Sequence, residues 1–524
     1  MIRKGITKLE AVLVVLLVIA IIAAGVGWAM PKPPEIITET KTITSTTTIA
    51  AETVTVSEVV TETMVKTETE YVTVTVTAPP PPPKKIKIAV VSDIGGRGDL
   101  SFNDMAFKGG EEAEEAFGLE MIELISETEA DYIPNLETAA KDPDVQLIVG
   151  VGFLLSEALL EVAQKYPDKN FAGIDTYTQA LAKDKLGDIL PNMLDIKFEE
   201  HKGSALVGAL GCLLAAYYNE KGYEFPYIGG VFGIEIPVLW KFEIGYKWGC
   251  DWGLKWYEKK FGKKAPIIGE DTRYGTGTNW EDGMYCPPET PGECWYKGRV
   301  LWTYTGTFSD ITKGYEAAVP MYEMGAVAVY NIAGPLGLGI NQAVQEIAEA
   351  QGLEMGPPFW IGVDANQDWI NPGFIIASMM KRVDKGVFYA SKLVVEGKFR
   401  DVVKEYEGVM TLGIGTEILG MPMEGISVST LADLDEFIEM GVRAEELTGK
   451  KVLPMAPEEI KKRVKEMREA VAPWIWEAVE ELEEAIRKPP PKRPIITAVA
   501  DSAKGLLSVA SLASIFSSLS RQAK

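Results

Sequence analysis

The chain has 524 residues, a net charge of −23 and a single histidine. That length accommodates two or three domains, and so acidic a balance repels polynucleotides and anionic lipid surfaces, which argues against a nucleic-acid partner. One histidine leaves little for acid–base catalysis, and no GxxxxGK[ST] phosphate loop occurs, so the chain is not expected to be an ATPase.

The first element is an uncharged run, AVLVVLLVIAIIAAGVGWA, over 11–29. It is long enough to cross a bilayer as a helix. Arg3, Lys4 and Lys8 precede it and the next basic residue is Lys32, a distribution that favours a cytoplasmic N-terminus and an exported remainder. A removed signal peptide is the competing reading; its apolar core is usually shorter, roughly 7–15 residues, and ends in a small-residue cleavage site, which is not evident here. The opening MIRKGITKLEAV resembles a class III, type IV pilin-like archaeal signal. That resemblance implies cleavage after Gly5, Glu10 at the fifth position beyond the cut, and retention of the run as a membrane anchor within residues 1–30. No cysteine precedes Cys212, which excludes a lipid anchor on an N-terminal cysteine.

Residues 31–84 follow as a Thr/Pro-rich segment. Threonine recurs at nearly every second position between 38 and 77, and the stretch ends in Pro79–Pro83. Alternating Thr and Val suits a strand, but few patches offer a consistent apolar face, so the segment reads as an extended, O-glycosylated stalk. There is no Asn-x-Ser/Thr sequon.

From Lys85 the pattern changes. KIKIAVVSD, VQLIVGVG, FAGIDT, YIGGVFG, VLWTYTGTF, AVAVYNIAG and WIGVDAN are short apolar runs, each followed by a helical stretch. Such alternation predicts parallel βαβ units, and about 360 residues of it predict two lobes rather than one sheet. In open α/β sheets ligands sit at the carboxyl ends of the strands, which places Asp93, Gly152, Asp175, Gly233, Phe308, Gly334 and Asp364 near a common cleft. The loop CPPETPGEC brackets Cys286 and Cys294 in an exported context where disulfides persist; a Cys286–Cys294 bond is expected. Neither cysteine pair has zinc-ligand spacing, so no metal is expected. Residues 451–487 read as one acidic amphipathic helix kinked at Pro473, and 488–524 as a Pro-rich break followed by a weakly apolar tail.

SDIGGRGDLSFNDMAFKGGEEA resembles the basic membrane protein family of ABC-transporter substrate-binding proteins, whose best-understood members bind purine nucleosides. FAGIDT, FEEHKGSALVGAL, GGVFGIEIPVLWKFEIGYKWG, TGTFSDITKGYEAAVPMYEMGA, NIAGPLGLG, WIGVDANQDW and SMMKRVDKGV follow in the family's order, spanning about 85–425. The resemblance implies a type I periplasmic-binding-protein fold over 85–450: two Rossmann-like lobes joined by a three-strand hinge, lobe one about 85–198 and 375–405, lobe two about 199–374 and 406–450. It implies that Asp93 and Asn103 hydrogen-bond the ligand, Phe102 and Phe308 sandwich a base, Asp175 reads a base edge, and Asp364 and Lys381 hold ribose hydroxyls, with Gly334 in the turn beside them. It departs from the family pattern at Asn366, where a second aspartate is common, at Pro335 in AGPLG, and in an insertion over 270–300.

The expected function is capture of a nucleoside at the cell surface, without a cofactor, and delivery to an ABC permease and its ATPase. A sugar or other small polar solute on the same fold is the alternative. Catalysis is not expected: His201 reads as a hinge or surface residue, and the adjacent Glu199 and Glu200 should point apart.

Overall fold

The structure, a computed structural model of the chain, describes residues 86–266, 300–418 and 421–488, with strand segments at 41–49, 52–60, 280–281 and 284–285. The chain divides into two units at Lys84/Lys85. In the first, Lys41–Ile49 pairs antiparallel with Glu52–Val60, in register from Lys41 opposite Val60 to Ile49 opposite Glu52. The Thr/Val alternation is thus used for a hairpin, and this part of the expected stalk folds back instead of running extended. The apolar run at 11–29, the rest of 31–84, Cys286, Cys294 and residues 489–524 lie outside the described residues. Among the described residues no helix is long and apolar enough to cross a membrane.

In the second unit the apolar runs become strands covered on both faces, which is why they read as continuous rather than alternating. The first sheet contains β1 (Lys87–Val91), β2 (Glu120–Leu124), β3 (Val145–Val151), β4 (Asn170–Ile174) and β5 (Met193–Phe198). The second contains β6 (Tyr227–Phe232), β7 (Val300–Tyr304), β8 (Ala326–Ile332), β9 (Phe359–Asp364) and β10 (Ile375–Lys381). Two later strands, β11 (Val409–Leu412) and β12 (Ile426–Val428), complete them. The orders are β11-β5-β4-β3-β1-β2 and β7-β6-β8-β9-β10-β12. All pairings in these sheets are parallel except β10 with β12. The helices that matter below are α1 (Phe102–Phe117), α2 (Glu200–Glu220), α3 (Pro237–Phe261), α4 (Val383–Val395), α5 (Leu434–Thr448), α6 (Pro457–Ala470) and α7 (Pro473–Arg487).

The chain passes between lobes three times. It leaves the first sheet after β5, returns after β10 to pack α4 against α1, and leaves again between β11 and β12. This corrects the expected lobe boundaries. Residues 375–381 belong to the second sheet, so the second crossover lies at 382 rather than 375. Strand 409–412 belongs to the first, so the third lies within 413–425 rather than at 406. The sequence offers apolar runs but no mark of which sheet a strand joins.

Two helices of the second lobe, α2 and α3, lie in backbone contact. A Cβ placed on Gly249 would sit 2.0 Å from the carbonyl oxygen of Ala205. This approach brings Cys212 and Cys250 to a Cα separation of 5.1 Å, and they form a disulfide. The bond expected from sequence, Cys286–Cys294, falls outside the described residues; the observed one was not anticipated. His201 is buried at the start of α2, at the first crossover. The expected single helix at 451–487 is two, α6 and α7. Pro473 opens α7 at its first turn, where a missing N–H costs nothing. Ile460, Val464, Met467, Ile475, Ala478 and Leu482 are buried, so the pair belongs to the core of this unit.

Candidate functional site

Of the strand-end residues singled out above, Asp93, Gly152, Asp175, Phe308, Gly334 and Asp364 reach one place, and Gly233 lies against Phe308. Asp93 follows β1; its Oδ1 accepts from the Gly95 N–H at 3.1 Å and from Asn103 Nδ2 at 2.8 Å. Asn103 is held at the first turn of α1 because Asp99 accepts from the backbone N–H groups of Ser101, Asn103 and Asp104 at 2.9, 2.8 and 3.1 Å. That cap aims Phe102 and Asn103 at the end of the first sheet. Asp175 directly follows β4 and Asp364 ends β9, with φ of 61° and 64°. Such left-handed backbone is uncommon for a residue with a side chain and clusters at ligand sites. Phe308 follows β7 and lies against Gly233, where a Cβ would come within 2.3 Å of the ring. Gly334 follows β8 and Lys381 ends β10.

These eight residues, Asp93, Phe102, Asn103, Asp175, Phe308, Gly334, Asp364 and Lys381, all line one cleft between the lobes, with about 670 Å³ of unfilled space including its open mouth. Gly152 lines it as well, and Gly233 lies beneath Phe308. Phe102 comes from the first lobe and Phe308 from the second. The lobes touch beside the cleft: Ser101 Oγ lies 3.0 Å from the Val363 carbonyl and 3.3 Å from Asp364 Oδ2, and Gln367 Nε2 donates to the Leu100 carbonyl at 3.1 Å.

The floor is an ion cluster. Lys381, 1% exposed, pairs with Asp175 of the opposite lobe and lies 2.9 Å from Glu200 Oε1; Glu200 also pairs with Lys241. The Lys381 ammonium lies 5.2 Å from the ring centres of Phe102 and Phe198 and 5.5 Å from that of Phe242. It is the only cation lining the cleft among the described residues, and its charge is committed to carboxylates. Burial raises the Asp93 carboxyl, against the hydrogen bond from Asn103. It raises Asp175 against the nearby Lys381 charge, and Asp364 to about 7. Asp99 is pushed to about 8 by burial and by the adjacent Asp104. The acceptors Asn103 Oδ1, Asp175 Oδ1 and Asp364 Oδ1 are buried with no hydrogen-bond partner among the described residues. A buried acceptor without a donor costs about 1–3 kcal/mol, so this cleft is set to receive N–H or O–H groups. Its walls are apolar, formed by Phe153, Leu154, Ile236, Val238, Leu239 and Phe242.

Sequence reading missed Asp99, Glu200 and Phe242. Glu200 carried a legible signal, an acid directly after a strand at a crossover. Glu199 and Glu200 do point apart: Glu199 pairs with Lys202 while Glu200 enters the cluster. Asn366 turns away from the cleft to donate to Asp433 Oδ1 at 2.6 Å, whereas Pro335 stands in the wall.

Two parallel-sheet lobes crossed by three chain passages, with strand ends converging on a cleft, define a periplasmic-binding-protein-like fold. The chain matches the family described as ABC transporter substrate-binding protein PnrA-like over residues 85–251 and 297–441, and it belongs to that family. The match breaks across the stretch that holds Cys286 and Cys294. A lipoprotein of Pyrococcus abyssi is 36% identical over 404 residues, covering 77% of this chain and 82% of the relative. An ABC transporter nucleoside-binding protein of Lactococcus lactis is 25% identical over 327 residues, covering 60% of this chain and 76% of the relative. Among solved structures, an ABC transporter solute-binding protein from Aeropyrum pernix aligns with a TM-score of 0.58 at 30% identity, covering 80% of this chain and 98% of that one. The chain is a solute-binding protein of the ABC-transporter type.

Proposed function

We propose that the solute is a purine nucleoside, captured between the lobes outside the cell and passed to an ABC permease whose ATPase drives import. The observation that carries this reading is the pairing of unpartnered buried acceptors, Asn103 Oδ1, Asp175 Oδ1 and Asp364 Oδ1, with one phenyl ring from each lobe. A nucleoside has flat apolar faces and an edge of donors. Stacking on an aromatic ring contributes about 1–3 kcal/mol per base, the role given to Phe102 and Phe308. Asp93, Asn103 and Asp175 take the base edge; Asp364 and Lys381 take the ribose hydroxyls. Surplus buried carboxylate, and the lack of an uncommitted cation among the described residues that line the cleft, disfavour a phosphate, hence nucleosides over nucleotides. The nucleoside-binding name of the Lactococcus relative supports the same class.

The apolar run at 11–29 is assigned as the tether that keeps the protein at the cell surface, and the protein is assigned no catalytic step. Isothermal titration with adenosine, guanosine, inosine and free pentoses tests the ligand. Heat with a pentose and none with any nucleoside replaces this reading with a sugar-binding one. Incubation with a bound nucleoside followed by chromatography should return it unchanged.

A further inference from the structure

The family match ends at residue 441, yet the helix pair α6–α7 beyond it reaches the back of the ligand-binding strand end. Arg468, in the last turn of α6, donates from Nη2 to Asp368 Oδ2 at 2.7 Å, and lies 2.9 and 2.8 Å from the carbonyl and hydroxyl oxygens of Ser429. Its guanidinium lies 5.2 Å from the ring centre of Trp476 in α7, whose Nε1 donates to the Arg468 carbonyl at 3.2 Å. Asp368 is fully buried and four residues past Asp364. Its Oδ1 also accepts from Ser378 Oγ at 2.8 Å, and Ser378 Oγ accepts from the Gln367 N–H at 2.9 Å. Gln367 Oε1 accepts the Val363 N–H at 2.9 Å, while its amide crosses to the Leu100 carbonyl of the first lobe. An unbroken line of hydrogen bonds therefore runs from Arg468 to the residues flanking Asp364 and to the loop that presents Phe102. Taking the charged partner away from a fully buried carboxylate is costly, which ties the Asp368 loop to Arg468.

We propose that Arg468 is a positioning residue for the binding site: through Asp368 it holds loop 363–368 in the shape that aims Asp364 into the cleft and lets Gln367 bridge the lobes. The role concerns the cleft described above and does not depend on which solute fills it; only the affinity arm of the test rests on the nucleoside reading.

The test uses the full chain carrying Arg468→Met, Arg468→Lys, or, as a control on the same helix, Lys461→Ala. Hydrogen exchange of peptides covering 363–369 is measured without ligand, and inosine affinity and dissociation rate are measured separately. Arg468→Met should speed exchange in that loop at least fivefold and weaken inosine binding at least tenfold, mainly through faster dissociation. Arg468→Lys, which keeps one charged donor, should fall between, and Lys461→Ala should change neither. A lowered melting temperature with unchanged loop exchange and unchanged affinity would make Arg468 a merely structural residue and overturn the proposal. If Arg468→Met does not fold, Arg468→Lys decides on the same readouts. If the wild-type protein binds no nucleoside, the nucleoside reading fails, and loop exchange alone still decides the role of Arg468.

Discussion

Replacing Lys381 by methionine tests the electrostatic account of the cleft floor. Lys381 is 1% exposed and stands between Asp175 and Glu200, with Asp364 close enough to feel its charge. Removing one member of a buried ion pair costs about 3–5 kcal/mol, because the remaining charge is left uncompensated. Glu200 keeps Lys241, so the stranded group is Asp175, whose carboxyl burial already raises above its ordinary 3.8. Without the lysine that carboxyl rises further. Between 3.8 and its raised value the native variant then binds a proton that the unfolded chain does not. Stability of the variant therefore increases as pH falls through that window, by up to about 1.4 kcal/mol per pH unit for one proton. Asp364, which stands at about 7 with the Lys381 charge lowering it, rises in the same way when the lysine is lost, so thermal melts of both proteins from pH 8 to pH 5 should show a gap that is widest at pH 8 and narrows on acidification. A gap that stays constant over this range would show that no carboxylate depends on Lys381, and the cluster reading would be wrong.

Phe102→Ala and Asp364→Ala should each weaken nucleoside binding at least tenfold by titration without unfolding the chain; unchanged affinity in both would refute the pocket assignment. Because burial holds Asp364 near 7, affinity should fall as pH drops below that value, when the carboxylate gains a proton and loses an acceptor, and Asp364→Asn should flatten this dependence. Cys212 and Cys250 close a loop with a sequence separation of 38, for which chain entropy gives about 4 kcal/mol; Cys212→Ser with Cys250→Ser should lower the melting temperature markedly, and an unchanged melt would remove the disulfide from the stability account. Mass spectrometry after non-reducing digestion should recover Cys286 and Cys294 in one linked peptide, and separate alkylated peptides would refute that pairing.

The strand runs were legible because a strand buried on both faces is apolar along nearly its whole length, as Ile88 to Val91 and Ala326 to Tyr330 are. The convergence of Asp93, Asp175 and Asp364 on one cleft was legible from strand-end position together with the ordered family motifs. β2 was not: EMIEL is a half-exposed edge strand with two glutamates, and an edge needs an apolar pattern on fewer sides. The short β11 and β12 carry too few residues for a pattern. The break between α6 and α7 escaped because a proline inside a helical period marks either a kink or a fresh start, and docking on the second lobe selects the start.

Period, apolar continuity and the residue at each strand end are local properties, and the chain carries them whether or not it is folded. Pairings across long separations are different. Asp175 meets Lys381 from 206 positions away, and Arg468 meets Asp368 from 100. Cys212 finds Cys250 because two helices dock through glycine. No periodicity encodes such meetings; they follow from how lobes, crossovers and helices pack once water has been driven from between them.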